Sequence, residues 1–262
     1  MKRSLLPVLL FLVASVVHAA SPTAPVEVRA EDGERIPVLV MEPEGSAAKN
    51  PPVALLLHGL TRSKNDWLAD TEPTFGGALT EHLRSAGYRV YLMDARRHGE
   101  RLTPDAKPGA IMKRAHAGDT APYQAMIADT VRDAQTVLGK VLATGKKPPK
   151  VLVAGYSMGA QVGLLLASRE PRVTHLVTMV PPYVDPVQGD AAPMNRVDKV
   201  NQAWLLLTAN QDQFSTEENN QKLFEASPSK RKTRKTFDSG HALPREYLDE
   251  VRRWLGEAQR LP

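Results

Sequence analysis

Nine residues constrain this chain more than any others: Val151-Leu152-Val153-Ala154-Gly155-Tyr156-Ser157-Met158-Gly159. The apolar run that opens them reads as a strand, glycines stand two positions before and after Ser157, and Ala160 to Ser168 continues with helical spacing. A chain that passes from strand to helix this abruptly must reverse direction at the serine. That places Ser157 in a strained backbone conformation with its hydroxyl exposed at the bend. Side chains at 155 and 159 would collide as strand and helix pass each other, so both positions need the smallest residue. G-x-S-x-G alone is a short pattern; the strand before it and the helix after it give it weight here.

The remainder of the chain supplies a sheet for such a bend. Val26 to Ala30 and Ile36 to Glu42 flank Asp32-Gly33 and read as a hairpin, expected to be antiparallel at one sheet edge. Continuous apolar runs follow at Val53 to Leu57, Tyr88 to Met93, Val151 to Ala154, Val173 to Val180 and Ala203 to Thr208, with a more polar one at Arg234 to Phe237. Runs that are hydrophobic on both faces belong to buried parallel strands. Helical spacing separates them at Thr74 to Ala86, Tyr123 to Thr144, Met158 to Ser168, Thr216 to Ala226 and Pro244 to Ala258. The expectation is an α/β fold with an eight-stranded, mostly parallel sheet and helices on both faces. Two connections are long, Gly99 to Pro122 and Pro181 to Gln202, and both leave the carboxyl ends of strands, where ligand crevices form. Neither is long enough to be a separate lid domain.

Composition narrows the chemistry. The 262 residues contain no cysteine, which excludes a disulfide scaffold, thiolate metal sites and a cysteine nucleophile. Lys2 and Arg3 precede the apolar run Leu5 to Val17, and Val17-His18-Ala19 places small residues around a cleavage point, so residues 1–19 read as a secretory signal peptide. The run is shorter than the ~20 residues needed to cross a bilayer. Residues 20–262 are then expected to form one domain, exported to the periplasm or secreted, with no stable membrane insertion. Removing the leader takes two of the 34 Lys and Arg and none of the 29 acids, leaving a net charge of +3. So small an excess argues against nucleic-acid binding. The densest basic run, Lys230 to Lys235, reads as a charged edge strand that resists pairing with another chain.

The elbow at Gly155 to Gly159, in its strand–turn–helix setting, resembles that of the α/β-hydrolase superfamily, in its serine esterase and peptidase branch. The likeness spans essentially the whole mature chain, and it implies the α/β-hydrolase fold. It further implies an oxyanion hole built from the backbone N–H of Met158, after the nucleophile, and that of Leu60, in the His58-Gly59-Leu60 turn after the third strand. His58 reads as a brace for that turn. Asp94-Ala95-Arg96-Arg97-His98-Gly99 resembles a second family segment, D-x-R-G-x-G, with Arg97 standing where glycine is usual; Asp94 and Arg96 read as loop-bracing charges, and the loop path at Arg97 is open.

A serine nucleophile needs a base within hydrogen-bond reach and a carboxylate to orient that base. The family order is serine, acid, histidine, which His58, His82, His98 and His116 do not satisfy. His175 starts an apolar strand, where a structural histidine fits better. His241, in Ser239-Gly240-His241-Ala242 after the last strand, matches the family's base. Asp212, in Ala209-Asn210-Gln211-Asp212-Gln213, matches its acid loop. Asp185, after the sixth strand, is the alternative acid, and Asp238 is close enough to His241 in sequence that a turn role suits it better. Ser157, Asp212 and His241 are the resulting constellation, 55 and 29 positions apart.

These roles describe hydrolysis of carboxylic esters through an acyl-enzyme, with no metal or organic cofactor and a small-molecule acyl substrate. Met112, Tyr183 and Met194, from the two long connections, are the candidate substrate contacts. A peptidase or amidase of the same fold would share every catalytic residue, and a catalytically silent binding protein would keep the fold without the reaction.

Overall fold

The computed structural model describes residues 23–45, 50–143 and 150–258. The expected leader at 1–19 lies outside the described residues. Eight strands, β1 (Thr23–Arg29), β2 (Arg35–Met41), β3 (Val53–Leu57), β4 (Arg89–Met93), β5 (Val151–Tyr156), β6 (His175–Met179), β7 (Ala203–Ala209) and β8 (Lys232–Phe237), form one sheet in the order β1-β2-β4-β3-β5-β6-β7-β8. The hairpin turns at Gly33, whose φ of +84° suits glycine. Only β2 runs against the rest: it is antiparallel to both β1 and β4, while β3 to β8 pair in parallel. β1 therefore points the same way as the parallel strands.

The pleat divides the apolar strands between two helical layers. Leu55, Leu57, Val153, Leu176 and Leu206 face a layer formed by α3 (Ala121–Leu142) and α4 (Met158–Ala167). Ala54, Leu56, Leu152, Val177 and Leu205 face α1 (Gly76–Ser85) and α6 (Tyr247–Ala258). Every residue of β3, β5, β6 and β7 is buried, which explains their unbroken apolar runs. Lys232 to Lys235 of the basic run fall on β8, which among the described residues pairs only with β7. Its Lys232 Nζ donates to the carbonyls of Phe224 and Ser227, at 2.7 and 2.6 Å, where α5 (Glu217–Ala226) ends.

Three elements differ from expectation. β6 stops at Met179 because Val180 takes φ +44°. The connection 99–122 is not all loop: α2 (Pro108–His116) occupies it, starting at a proline that suits a first helical turn. Of its nine residues only Pro108 and Ile111 are buried, with Met112 and Ala115 packed partly against the core beside Ile111. The connection 181–202 winds through three 3₁₀ turns between Pro186 and Lys199.

The loop after β4 is held by charge. The fully buried Asp94 carboxylate accepts from Lys64 N and Lys64 Nζ, both at 2.8 Å, and from Glu100 N at 3.0 Å. Arg96 donates to Asp133 and Asp32, both at 2.7 Å, tying this loop to α3 and to the first hairpin. Directly after Arg96, Arg97 adopts φ +64° with its side chain exposed, so the loop keeps a left-handed residue even without glycine. Gly99 has no such latitude, since a Cβ there would lie 2.3 Å from the Asp94 carboxyl carbon.

Arg97→Gly should therefore raise stability by about 1 kcal/mol through relief of left-handed strain. Gly99→Ala should lower it by about 2–3 kcal/mol. Equilibrium urea unfolding of the two variants checks both signs.

Candidate active site

β5 delivers Ser157 at the carboxyl edge of the sheet with φ +54° and ψ −119°. Close packing fixes this conformation. A Cβ on Gly155 would lie 2.1 Å from Gly159 O, and one on Gly159 would lie 1.9 Å from Leu57 O, so strand β3, strand β5 and helix α4 meet at backbone distance. The Ser157 N–H donates to Met179 O at 2.8 Å, and Ser157 O accepts the N–H groups of Ala160 and Gln161 as α4 begins.

The loop after β8 carries His241 to this point. Its Nε2 lies 2.8 Å from Ser157 Oγ, and its Nδ1 lies 2.9 and 3.0 Å from the two carboxylate oxygens of Asp212. The Asp212 side chain is 1% exposed and that of His241 18%, so the acid sits behind the imidazole and the imidazole faces the opening. Asp212 Oδ1 is held in turn by the Phe214 N–H at 2.8 Å. With the carboxylate at Nδ1, the proton of a neutral imidazole belongs on that nitrogen, leaving Nε2 free to accept from the serine hydroxyl. The Phe214 ring stands edge-on to His241 at 4.6 Å between centroids. Tyr156 pins the same loop: its hydroxyl donates to His241 O and accepts from Leu243 N, each at 2.9 Å.

The other sequence candidates fall elsewhere. Asp185 is exposed and caps a 3₁₀ turn by accepting Val187 N at 2.9 Å. Asp238 braces the neighbouring loop through Asn210 and Gln211 at 3.0 and 2.9 Å. His175 packs edge-on against Trp254. His98 is buried and donates from Nδ1 to Arg96 O at 2.7 Å.

Gly59 and Leu60 lie beside the elbow, where a Cβ on Gly59 would come 3.6 Å from Ser157 Cβ. His58 shapes this turn. Its Nε2 accepts the Ala95 N–H at 3.1 Å, so Nδ1 carries the proton and donates to Gly59 O at 2.8 Å. That bond fixes the plane of the peptide whose other end is the Leu60 N–H. Met158 is the first residue of α4, where an N–H has no partner in its own helix. Burial, and after it the neighbouring His98, pushes the His58 imidazole down to about 4.

A cavity of about 450 Å³ opens above Ser157, walled mainly by apolar groups that include Leu60, Met112, Met158, Tyr183, Val184 and Phe214. Met112 and Tyr183 stand in it as the sequence suggests. Met194 does not: its 3₁₀ turn packs toward α4 and α5 and places it in an adjoining cavity of about 180 Å³ with Pro193 and Leu223. Tyr183 forms part of both. Tyr123 was not legible as a site residue, because only the folded chain brings α3 to Ser157; Tyr156, Gln161 and Phe214 gave a hint, lying one residue before the serine, one helical turn after it and two residues after Asp212.

The family model described as the alpha/beta hydrolase family matches residues 54–261. The chain belongs to that family. A search of curated protein sequences finds no match. Among solved structures, it is similar to an esterase of Pyrococcus furiosus, with 17% identity and a TM-score of 0.67 over 96% of this chain and 98% of that one. It is similar also to a cold-adapted esterase from an Arctic intertidal metagenomic library, with 22% identity and a TM-score of 0.66 over 91% and 93%. Acetyl xylan esterase 1 of a Thermoanaerobacterium species aligns with 18% identity and a TM-score of 0.69 over 91% and 89%.

Neutral buried histidines make stability depend on pH. His58 and His175 both drop from 6.5 to about 4 on folding, chiefly through burial. Between those values the unfolded chain binds more protons, so this contribution is complete above about pH 6.5 and is lost as pH falls toward 4. Urea unfolding across that range should show a steady decline; a flat profile would contradict it.

Proposed function

We propose that the protein is a serine hydrolase that cleaves carboxylic esters through an acyl-enzyme on Ser157. His241 takes the Ser157 proton as Oγ attacks the ester carbon, and Asp212 orients the imidazole and stabilises its charged form. The oxyanion is received by the N–H groups of Leu60 and Met158. Collapse of the tetrahedral species breaks the bond to the alcohol oxygen, which leaves with the proton from His241. Water, deprotonated by His241, then attacks the acyl-enzyme, and the carboxylic acid departs as Ser157 Oγ regains its proton.

One observation carries this reading: Ser157 Oγ, His241 Nε2 and Nδ1, and the Asp212 carboxylate form a continuous chain with links of 2.8 and 2.9 Å, opening into a largely apolar cavity. The ester preference is supported by the better leaving ability of alcohols and by the three structural neighbours above, all of them esterases. The leader-like residues 1–19 add the proposal that the enzyme acts after export, in the periplasm or outside the cell.

A fluorophosphonate probe should label the wild-type protein and leave Ser157→Ala unlabelled; a folded wild type that resists labelling would sink the reading. On p-nitrophenyl esters, Ser157→Ala should lower kcat/KM by about 10⁴-fold or more, and Asp212→Asn by roughly 10²- to 10⁴-fold. Higher kcat/KM on peptide anilides than on any of the esters would replace the esterase with an amidase.

A further inference from the structure

Two of the polar side chains that line the cavity with Ser157, Tyr123 on α3 and Gln161 on α4, are buried and bonded to each other. Tyr123 is 7% exposed and Gln161 0%. Their hydrogen bonds leave no freedom of direction. Gln161 Nε2 lies 2.7 Å from Ala191 O, and only the amide nitrogen can donate to a carbonyl, so that contact fixes which end of the amide is which. Gln161 Oε1 then faces Tyr123 Oη at 2.9 Å, and because an amide oxygen only accepts, the phenolic proton must point to it. Burial raises the Tyr123 hydroxyl to about 12, so that proton stays in place near neutral pH.

A tyrosine hydroxyl with its one proton committed can only accept. The threonines around the cavity, Thr61 and Thr74, carry rotatable hydroxyls that donate as readily as they accept, and so do not discriminate. We propose that Tyr123 Oη is an acceptor subsite for a hydroxyl group on the substrate, so that the enzyme favours esters bearing such a hydroxyl over alkyl esters of equal size. This deepens the hydrolase reading above and rests on it. The hydroxyl can belong to the acyl or to the alcohol half of the ester, since either half can fill the cavity.

Two matched pairs followed in a pH-stat separate these sources: methyl 3-hydroxybutyrate against methyl 3-methylbutyrate, and 2-hydroxyethyl butyrate against propyl butyrate. In the wild type one pair should show a preference for the hydroxyl-bearing member of roughly tenfold in kcat/KM, the size of one neutral hydrogen bond. Tyr123→Phe, which removes only the oxygen, should abolish that preference. Equal rates within both pairs overturn the inference and leave the hydrolase reading intact; this comparison needs no variant. A preference that survives in Tyr123→Phe overturns it too. So does a uniform loss on all four esters accompanied by a lower Tm, which would assign the pair to holding α3 on α4 alone. A wild type that hydrolyses none of the four and resists the fluorophosphonate probe overturns the hydrolase reading and this inference with it.

Discussion

The site depends on one close approach. Helix α4 passes so near to β3 and β5 that Gly159 has no room for a side chain against Leu57 O, nor Gly155 against Gly159 O. That contact forces the reversal at Ser157 and with it the positive φ of a non-glycine residue, a conformation that persists only where its surroundings determine it completely. Here they do: Met179 O holds the serine N–H, and α4, buried at every position from Met158 to Ala167, cannot move aside. The same geometry exposes the hydroxyl and leaves the Met158 N–H at the first position of α4. Strain at one residue is thus the means by which a hydrophobic sheet presents a polar group at its rim.

Around that fixed point, the partners arrive on loops, and each loop is tied down separately. Tyr156 holds the backbone of the His241 loop at two places, so the residue next to the serine also positions the imidazole. His58 orients the peptide of Leu60, and is itself anchored to Ala95 in the loop after β4. That loop is secured by Asp94, Lys64, Arg96 and Asp133, charges buried in pairs whose separation would leave an unpaired charge in the interior. Rigidity at the rim therefore comes from polar contacts, whereas the rigidity of the sheet comes from packing. An acceptor such as Tyr123 Oη fits the same pattern, a buried polar group whose direction its neighbours dictate.

Much of the fold was legible because parallel strands buried on both faces leave unbroken apolar runs, and because the elbow needs glycines at two set positions. Asp212 is preferred to Asp185 in sequence because its loop after the seventh strand resembles the family's acid loop, and the structure places Asp212 behind His241 while Asp185 turns outward to cap a 3₁₀ turn. What escaped lacked periodicity or was decided by tertiary contact. Helix α2 has only nine residues, so its short apolar face of Ile111, Met112 and Ala115 gave no sustained pattern. Arg97 occupies a left-handed position that the sequence alone would reserve for glycine. Met194 was misplaced because nothing along the chain reveals which way a 3₁₀ turn faces, and Tyr123 reaches the site from a helix remote in sequence from Ser157.

The most direct test is a crystal structure of the protein after reaction with an alkyl fluorophosphonate, whose tetrahedral phosphorus stands in for the attacked carbon. The expected result is a covalent bond to Ser157 Oγ, with the phosphonyl oxygen about 3 Å from the backbone nitrogens of both Leu60 and Met158, and His241 still paired with Asp212. An adduct on another residue, or a phosphonyl oxygen pointing away from both nitrogens, would contradict the account.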